Sequence, residues 1–596
     1  MITEGITISP ERDDLFDKLG ITRLKEAYMM DHEISPQERF AYVSKTFGTT
    51  SSHAQRLYEY SSKHWLSYST PILSYGRSKR GLPISCYLNY INDSSEGLVD
   101  NLSETNWLSM LGGGVGIGFG IRSSDDKSTG VMPHLKMYDA SSLAYRQGRT
   151  RRGSYAAYLD ISHPDILMFL EMRKPTGDQN FRCLNMHHGI NISDKFMTIL
   201  EHCMVNPLAD DSWDLIDPHS SEIRDVVSAK EIWQRILEMR MQTGEPYLHF
   251  IDKSNNEMPS WLKQKGLKIN QSNLCSEIIL PTSKERTAVC CLSSVNLEYF
   301  DEWSKDKEFL PDILEMLDNV LQNFIDNSPD TIHRARYSAK QERSVGVGAL
   351  GFHAYLQSKN IPFDCALAKS HNIRMFKHIK EGLDYANRNL ALVRGEAPDA
   401  VDTGLRCSHV MAIAPNASSS IIMGNTSPSI EPWRANAYRQ DTLSGSFLNK
   451  NKFLDKIIKT KCEEDSKLNY ERIWSSIIAN DGSVQHLRSF TSEEKEVFKT
   501  AMEIDQRWVI EHAADRQQYI DQSQSLNVFF RPDVEIKYLH AIHYMAWKKG
   551  LKTMYYCRSE KIGKADKVSR KIERQIINEL DMEALASGDE CLACEG

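Results

Sequence analysis

The first 68 residues carry apolar positions at helical spacing. In "ISPQERFAYVSKTF", Ser35 and Pro36 form a helix start and Glu38 lies in the first turn, before the apolar residues recur at helical intervals. The stretch "SSHAQRLYEYSSKHWLSYS" continues the same pattern. The pattern predicts an N-terminal helical segment, residues 1–68, whose apolar faces serve packing.

After "STPIL", residues 69–73, short apolar runs alternate with longer helical stretches. The runs read "LPISCYLNYI", "VGIGFGI", "AAYLDI", "HGINI" and "AVCCLSSVNL", and "DILEMLDNVLQNFIDN" is one of the helical stretches. Alternating strands and helices favour a parallel or mixed sheet covered by helices. The pattern therefore predicts an α/β domain over residues 69–560, with its chemistry on loops at strand ends.

A last helical pattern occupies residues 561–585. In "KADKVSRKIERQIINEL" one stripe is formed by Val568, Ile572, Ile576 and Leu580. Packing of a last helix explains the stripe, and a face for a partner is the alternative. Residues 586–596 are small and acidic, and we expect a flexible tail there.

Composition narrows the class of protein. With 596 residues, 41% hydrophobic and 26% charged, the chain can bury a large core. The net charge of -8 argues against nucleic-acid binding but leaves room for basic pockets that hold phosphates. No apolar run reaches the roughly 18 residues that span a bilayer, and the N-terminus lacks a signal peptide. We expect a cytoplasmic protein with no membrane partner.

Glycine and histidine patterns exclude two common kinds of site. The glycines of "LGGGVGIGFG" do not satisfy G-x-G-x-x-G, and no P-loop motif occurs. They instead predict close backbone approach, either to another strand or to a ligand. The nineteen histidines form no H-E-x-x-H or Cys/His zinc pattern, so no structural metal is expected.

Twelve cysteines are too few for a disulfide scaffold in a chain of this length. In a reducing cytosol they should be free thiols, and a pair that becomes oxidised points to catalysis. Cys591-x-x-Cys594 lies close to the end of the acidic tail, where a redox dithiol is accessible. Half of a zinc knuckle is the alternative, but its other half is missing.

Seven elements occur in an order that resembles the large (catalytic) subunit of class I ribonucleotide reductase. They are Asn273, Cys275 and Glu277 in "NLCSE", Cys290 in "VCCLSSVNL", Cys86 in "PISCYL", the pair Tyr555-Tyr556 in "MYYCRS", and the terminal pair Cys591/Cys594. The resemblance runs from Ser69 to the last residues. Cys86 lies so near the start that we expect a short form without the N-terminal cone domain that sets overall activity.

The resemblance implies a fold and a place for the first cysteine. The fold is a ten-stranded α/β barrel, and a central finger loop carries the radical cysteine, Cys275. The stretch "QSNLCSEIIL" suits that loop. Its apolar neighbours then have a function, because a thiyl radical survives only where water and stray reductants are excluded.

The resemblance also assigns the chemistry. Cys275 becomes a thiyl radical that takes the 3'-hydrogen of a ribonucleotide. Glu277, with a reference pKa near 4.3, is expected to be ionised at neutral pH and to accept the 3'-hydroxyl proton. Cys86 and Cys290, thiols with a reference pKa of about 8.5, protonate the departing 2'-hydroxyl and supply two electrons as they form a disulfide. Asn273 hydrogen-bonds to the substrate and holds Glu277.

Two neighbouring pairs complete this assignment. Strand alternation points Cys291 away from the site if Cys290 faces it, and the family pattern selects Cys290.

Tyr555 and Tyr556 relay an electron and a proton to Cys275 from a separate small subunit. That subunit holds the radical cofactor, so no prosthetic group is expected in this chain.

Nucleotide contacts follow from the same family pattern. The substrate contacts are Thr70, Ser85, Gly114, Asn416, Ala417, Ser418, Ser419 and Ser420, the last five in "APNASSSII". The effector contacts are Asp93, Arg122, Gln147 and Arg152. They imply a dNTP or ATP effector with Mg2+ at a homodimer interface, where it selects the substrate base.

The predicted function is the reduction of ribonucleotides, most often diphosphates in this family, to 2'-deoxyribonucleotides for DNA replication. Thioredoxin or glutaredoxin is the expected external reductant. A preference for triphosphates stays open. A non-catalytic nucleotide-binding paralogue and another thiol oxidoreductase are the alternatives.

Overall fold

The structure is a computed structural model that describes residues 2–78, 81–145, 153–442 and 445–559. Its strands are β1 (Ile2–Thr3), β2 (Ile6–Thr7), β3 (Leu66–Tyr68), β4 (Cys86–Asn92), β5 (Gly114–Gly120), β6 (Tyr155–Asp160), β7 (His187–Ile192), β8 (Ser212–Ile216), β9 (Ile223–Ser228), β10 (Tyr247–Phe250), β11 (Ala288–Asn296), β12 (Val345–Leu350), β13 (Ala437–Thr442), β14 (Gly445–Lys450), β15 (Val528–Phe530), β16 (Thr553–Met554) and β17 (Cys557–Ser559).

The α-helices are α1 (Lys18–Ala27), α2 (Pro36–Phe47), α3 (Ser51–Ser62), α4 (Thr70–Leu73), α5 (Ser95–Met110), α6 (Val131–Ala144), α7 (Ile166–Leu170), α8 (Asp194–Val205), α9 (Ala229–Thr243), α10 (Ile251–Glu257), α11 (Ser260–Gln264), α12 (Phe300–Trp303), α13 (Phe309–Asn327), α14 (His333–Glu342), α15 (Phe352–Ser358), α16 (Ala366–Arg394), α17 (Ala417–Ile422), α18 (Lys452–Glu464), α19 (Tyr470–Ala479), α20 (Ser492–Val497), α21 (Gln506–Gln517) and α22 (Ile536–Lys548).

The N-terminal helices begin at the capping residues that the sequence contains. The Ser35 hydroxyl accepts a hydrogen bond from the Gln37 N–H, and Pro36 occupies the first position of α2, where a missing N–H loses no hydrogen bond. Thr50 caps α3 through the His53 N–H. The predicted helical N-terminal region is therefore present.

The end of that region differs from the prediction. Leu66–Tyr68 forms strand β3 rather than helix, and it pairs antiparallel with Ser293–Val295 of β11. Long-range pairing with a buried strand overrides the local helical pattern here.

One half of the barrel is a run of five parallel strands. β4, β5, β6, β7 and β10 pair in that order. All are predominantly buried, as strands covered on both faces should be. β4 pairs antiparallel with β11, and β10 pairs antiparallel with β16.

The second half continues from β11 around the ring. β11 pairs parallel with β12, and Val347 of β12 forms a parallel bridge to Met411. Ile413 forms a parallel bridge to Gln524, and β15 then pairs parallel with β17, just beyond β16. This half also has five segments: β11, β12, residues 409–413, residues 522–530 and residues 553–559.

Helices cover the outside of this ring. The predicted helical stretch 312–327 lies within α13, which buries Ile313, Leu317, Leu321 and Phe324 and packs on α16. The predicted α/β barrel behind an N-terminal helical region is confirmed.

Candidate active site

A buried loop, residues 270–282, passes between the two halves of the barrel. Its turn contains Cys275 and Ser276, and Ser276 has a φ of 67° in the left-handed region. The Ile278 N–H donates to Asn273 Oδ1 (3.1 Å), and the Ser272 hydroxyl donates to the Ile278 carbonyl (2.8 Å). These bonds close the loop on itself.

Glycine residues in β5 allow the loop to lie close to this strand. A side chain at Gly116 would collide with the backbone of Ser272 and Asn273, and one at Gly118 would meet Gln271. The predicted close approach of another backbone segment is present at Gly116, where the segment is a loop rather than a strand, whereas Gly118 makes room for side chains.

Side chains from the barrel hold the carbonyl groups of the loop. Tyr158 donates to the Asn273 carbonyl (2.7 Å) and Thr553 donates to the Ser276 carbonyl (2.7 Å). The Ser525 hydroxyl lies 2.5 Å from the Cys275 carbonyl oxygen. Because buried carbonyls need partners, these contacts hold the backbone that carries Cys275 in place.

Cys86 and Cys290 lie opposite each other. They are register partners in the antiparallel pair of β4 and β11. Both belong to the buried cluster that contains Cys275, whereas Cys291 packs into the main core. The alternation predicted for these neighbouring cysteines is therefore present, and Cys290 is the one that faces the loop.

Glu277 connects the loop to Cys86. The Cys86 thiol donates to Glu277 Oε1 (3.7 Å), and the Asn273 amide donates to the Cys86 sulfur (3.6 Å). The Ser525 hydroxyl donates to Glu277 Oε2 (3.0 Å). Three of the side chains predicted as catalytic, Asn273, Cys86 and Glu277, thus belong to one hydrogen-bonded group.

The ionisation of Glu277 differs from the expectation. Burial raises its pKa to about 7, although hydrogen bonds from Asn273, Ser525 and Cys86 oppose the rise. Glu277 is therefore only partly ionised at neutral pH, because water that would solvate its charge is excluded. Burial also raises the pKa of Cys290 well above its usual value, so that this thiol holds its proton.

Tyr555 connects Cys275 to a set of aromatic rings. The Tyr555 hydroxyl donates to the Cys275 sulfur at 3.6 Å. The rings of Tyr555 and Tyr556 lie 4.3 Å apart, and Tyr247 packs against both. On its far side, Tyr556 is 3.4 Å from His187 Nδ1, which is 2.6 Å from Glu245. The chain of contacts thus leads from the sulfur to the partly exposed His187.

Two predicted substrate contacts lie beside Cys86. The Ser85 hydroxyl is 3.5 Å from the Cys86 sulfur, and Gly114 is the partner of Cys86 in the β4–β5 register. The Gly114 N–H also donates to the Ser85 carbonyl (2.7 Å).

The other predicted substrate contacts lie farther along β11. Ser294, four residues or about 13 Å beyond Cys290 along the strand, donates to Asn416 Oδ1 at 3.2 Å. Thr70 begins α4 directly after β3, which pairs with this end of β11. The first turn of α17 contains Ala417, Ser418, Ser419 and Ser420. These residues share one end of the barrel.

Asp93 and Arg122 form an ion pair beyond the opposite ends of β4 and β5. Arg122 Nε lies 2.7 Å from Asp93 Oδ2, and Arg122 Nη1 lies 3.8 Å from Asp125. His219 Nδ1 is 3.0 Å from the same Asp93 oxygen. The two described effector candidates therefore contact each other directly.

One group in the described part of the chain has side chains of the kinds that bind metals. His53, Asp312 and Glu315 lie close together beside the N-terminal helices. Arg56 donates two hydrogen bonds to the Asp312 carboxylate, at 2.6 and 2.7 Å. Since that carboxylate is already paired with a guanidinium group, the group is a hydrogen-bonded cluster rather than an open metal site.

Family models show which protein family the chain belongs to. A model described as "Ribonucleotide reductase, barrel domain" matches residues 84–402 and 398–557, and one described as "Ribonucleotide reductase, all-alpha domain" matches residues 14–81. The chain belongs to the ribonucleotide reductase large-subunit family. It is accordingly an oxidoreductase, and its reaction is the reduction of ribonucleotides.

Relatives with this family's name cover almost the whole chain. The ribonucleoside-diphosphate reductase large subunit of Invertebrate iridescent virus 3 is 51% identical over 94% of this chain and 97% of its own length. The putative large subunit of Frog virus 3 is 46% identical over 91% of this chain and 92% of its own. The large chain of Schizosaccharomyces pombe is 30% identical over 92% of this chain and 74% of its own.

A solved ribonucleotide reductase has the same fold. The class Id alpha subunit of Actinobacillus ureae superposes with a TM-score of 0.81 at 35% identity, over 92% of this chain and 98% of that one. In the residues that the structure describes, no helix combines the length and the apolar character needed to cross a membrane.

Several ribonucleotide reductase features predicted from the sequence lie outside the described residues. They are the effector candidates Gln147 and Arg152, the last helix 561–585, the tail 586–596, and the dithiol Cys591/Cys594.

Sequence reasoning missed the residues that support the reductase thiols. Gln522 and Ser525 lie in "DQSQSLN", which resembles no motif in isolation. Their Nε2 and Oγ atoms contact Cys290 and Glu277. The one available signal is their position directly before the apolar run "NVFF", which marks a loop entering a strand.

Proposed function

We propose that this chain reduces ribonucleoside diphosphates to 2'-deoxyribonucleotides through a thiyl radical at Cys275. The observation that carries the proposal is the contact between the Tyr555 hydroxyl and the Cys275 sulfur, with Cys86 in the same buried cluster and Glu277 accepting a hydrogen bond from the Cys86 thiol. Viral relatives named ribonucleoside-diphosphate reductase support the diphosphate as substrate.

In the proposed reaction, Cys275 exchanges a hydrogen atom with the substrate, Glu277 exchanges a proton, and the thiols of Cys86 and Cys290 supply the electrons. The Cys275 thiyl radical takes the 3'-hydrogen atom, and ionised Glu277 accepts the 3'-hydroxyl proton. A proton from Cys86 or Cys290 leaves with the 2'-hydroxyl as water. The two thiols lose two electrons and two protons in total and form one S–S bond: one proton leaves in the water, and the other, with the two electrons, forms the new C2'–H bond. Glu277 returns its proton to the 3'-oxygen, and Cys275 returns the 3'-hydrogen atom to C3' and recovers its radical.

Asn273 positions the reacting groups in this scheme. Its amide N–H donates to the Cys86 sulfur, while its oxygen accepts from the Ile278 N–H. Because the second bond fixes the orientation of the amide, the N–H is directed at the thiol. Substitution of Asn273 should therefore disturb Cys86 and Glu277 together.

The radical enters through Tyr556 and Tyr555. Phenols can lose an electron and a proton together, and ring centroids 4.3 Å apart give close electronic contact. The source is a separate small subunit that holds the radical cofactor. Thioredoxin or glutaredoxin then restores the thiols through Cys591 and Cys594, which requires a reducing, cytoplasmic compartment.

The substrate phosphates are assigned to the end of the barrel formed by Thr70 and residues 416–420. Asn416 has a φ of 54° and is held there by its amide, which donates to the Ala349 and Ala414 carbonyls at 3.1 Å each. The three serines of this turn are buried. Such a turn offers hydroxyl groups and backbone N–H groups to phosphate oxygens.

The effector is assigned to Asp93 and Arg122, with Gln147 and Arg152 carrying its signal and Mg2+ accompanying its phosphates. Helices α5 and α6, which follow these residues, expose large apolar side chains: Val99, Trp107, Met137 and Leu143. Exposed apolar residues on adjacent helices favour a protein contact. A homodimer through these helices would place the effector at the interface.

The test combines the full chain with its small subunit, a dithiol reductant, Mg2+, a ribonucleoside diphosphate and a dNTP effector. Deoxynucleotide formation is measured by chromatography. Wild type should give product, and Cys275→Ser should give none while it still binds nucleotide. Cys203→Ser is the matched control, because Cys203 is a buried thiol on α8 outside the Cys275 cluster. Turnover by Cys275→Ser would refute the radical function.

A further inference from the structure

The sulfur of Cys290 has a side-chain hydrogen-bond donor that the reaction scheme does not use. Gln522 Nε2 lies 3.3 Å from Cys290 Sγ, and both residues are buried. The other polar contacts of this sulfur, with the Ser344 hydroxyl and the Cys291 carbonyl, are 4.0 Å long.

Two backbone groups fix the orientation of the Gln522 amide. The Ile279 N–H donates to Gln522 Oε1 (3.3 Å), and Gln522 Nε2 donates to the Val345 carbonyl (3.3 Å). A rotated amide would place oxygen against a carbonyl and NH2 against an N–H, so the observed orientation is the stable one. Besides the Val345 carbonyl, Nε2 has two acceptors for its second hydrogen, the Cys290 sulfur at 3.3 Å and the Ser344 hydroxyl at 3.4 Å. Because sulfur is larger than oxygen, the contact with Cys290 is the closer of the two.

We propose that Gln522 is a positioning residue for the reducing thiols: its N–H holds the Cys290 sulfur toward Cys86 and stabilises negative charge on that sulfur while the disulfide forms. This inference rests on the proposed function, because it requires Cys86 and Cys290 to be the reductant.

The chemistry of disulfide formation explains why a donor is needed at this sulfur. Two thiols must lose two protons and two electrons before the S–S bond is complete, and when a proton leaves first, negative charge remains on sulfur. The cluster around Cys290 is apolar, and the nearby Glu277 carboxylate repels such charge. A hydrogen bond to a charged group is worth more in a buried site than in water.

The position of Gln522 also connects the acid–base group, Glu277, with the reducing thiol, Cys290. Its oxygen is held by Ile279, two residues after Glu277, and the Ser523 N–H donates to the Glu277 carbonyl (2.9 Å). The same segment, residues 522–525, therefore holds both the acid–base group and the reducing sulfur.

The experiment compares Gln522→Met with Gln524→Met in the complete reductase complex. Methionine keeps the length and approximate volume of glutamine but cannot donate a hydrogen bond. Gln524 is the matched control, because it is buried in the same segment and its amide contacts Ala513, Gln517 and Arg516 instead of a thiol. Deoxynucleotide, released free base and remaining substrate are all measured.

The readout separates this function from simple support of the fold. A substrate that has lost its 2'-hydroxyl but is not reduced carries a 3'-carbonyl, and its base, bonded to the carbon β to that carbonyl, is eliminated. Gln522→Met should lower kcat about tenfold, which is the effect of losing one charge-assisted hydrogen bond, and should leave KM unchanged. A larger share of its turnovers should end in release of the free base. Gln524→Met should keep the wild-type share.

The share of turnovers that end in release of the free base does not depend on how much of the enzyme is folded. A wild-type share in Gln522→Met would overturn the proposal at any level of activity. Failure of the proposed function is a different result, since wild type itself would then form no deoxynucleotide.

Discussion

Cys86 and Cys290 are direct partners across the antiparallel strands β4 and β11. The Cα atoms of such partners lie about 4.5–5.5 Å apart, and disulfides form at about 4.4–6.8 Å. Directly opposed side chains also lie on the same face of the sheet. The two thiols can therefore form a disulfide without movement of the backbone.

This geometry predicts different effects for two adjacent cysteines. Cys290→Ser should lower turnover at least about 100-fold, the scale expected when a reacting group is lost, and should abolish a Cys86–Cys290 disulfide under mild oxidation. Cys291→Ser should retain both, because Cys291 faces the main core. Peptide mapping and turnover assays measure the outcome. Equal losses in the two variants would show that strand alternation does not decide which thiol reacts.

The raised pKa of Glu277, about 7, predicts the pH dependence of activity. If the ionised form is the base, kcat/KM should rise about tenfold per unit below pH 7 and level off above it. Glu277→Gln should remove this dependence along with most of the activity. A wild-type profile that is flat between pH 6 and 8 would contradict the assigned base.

The same group also makes a prediction about stability. Its pKa in the folded chain lies above its usual value of 4.5, so the folded state retains the proton to a higher pH than the unfolded state. The Glu277 contribution to the free energy of unfolding should therefore fall from about pH 4.5 to pH 7 and stay low above pH 7. Denaturant unfolding of wild type and Glu277→Gln at pH 6 and 8 measures it: the variant should lose less stability between these values.

The contact between Tyr555 and Cys275 predicts a specific loss of radical transfer. Tyr555→Phe keeps the ring but removes the hydroxyl, so turnover should fall at least about 100-fold while nucleotide binding is retained. Tyr87→Phe is the control, because the Tyr87 hydroxyl is buried with no hydrogen-bond partner among the described residues. Deoxynucleotide assays and nucleotide binding are measured together. Near-normal turnover by Tyr555→Phe would exclude the relay.

A buried carboxylate outside the site predicts a large effect on stability. Asp318 on α13 accepts hydrogen bonds from Arg343 (2.6 Å), Arg394 (2.8 Å) and Arg406 (3.1 Å). Burial alone would raise its pKa, but Arg343 and Arg406 lower the pKa below its usual value. The stability it contributes is therefore present above that value and is lost as the pH falls through the folded pKa.

Asp318→Asn should lower the free energy of unfolding at pH 7 by about 3–5 kcal/mol, because it leaves the buried Arg343 guanidinium group without its counter-ion. Asp330→Asn is the control: it removes an exposed ion pair with Arg336 and should change stability by less than about 1 kcal/mol. Denaturant unfolding measures both. Equal effects would mean that burial does not set the strength of these pairs.

The order of residues along the chain is enough to predict most of the elements and to select the candidate catalytic side chains. The start of α2 at Ser35 follows from local capping, and β4, β5 and β11 follow from short apolar runs. The residue order around Cys275 was sufficient to select the catalytic candidates. These features depend on neighbouring residues and on motif order, which a sequence shows directly.

The contacts between those side chains depend on how distant parts of the chain pack together. Cys86 and Cys290 are separated by about 200 positions, and strand pairing alone makes them partners. Gln522 is far from both thiols in sequence, and the pKa of Glu277 depends on water excluded by the whole barrel. Local pattern fixes which elements form, whereas contacts and electrostatics between distant segments arise only when the chain packs.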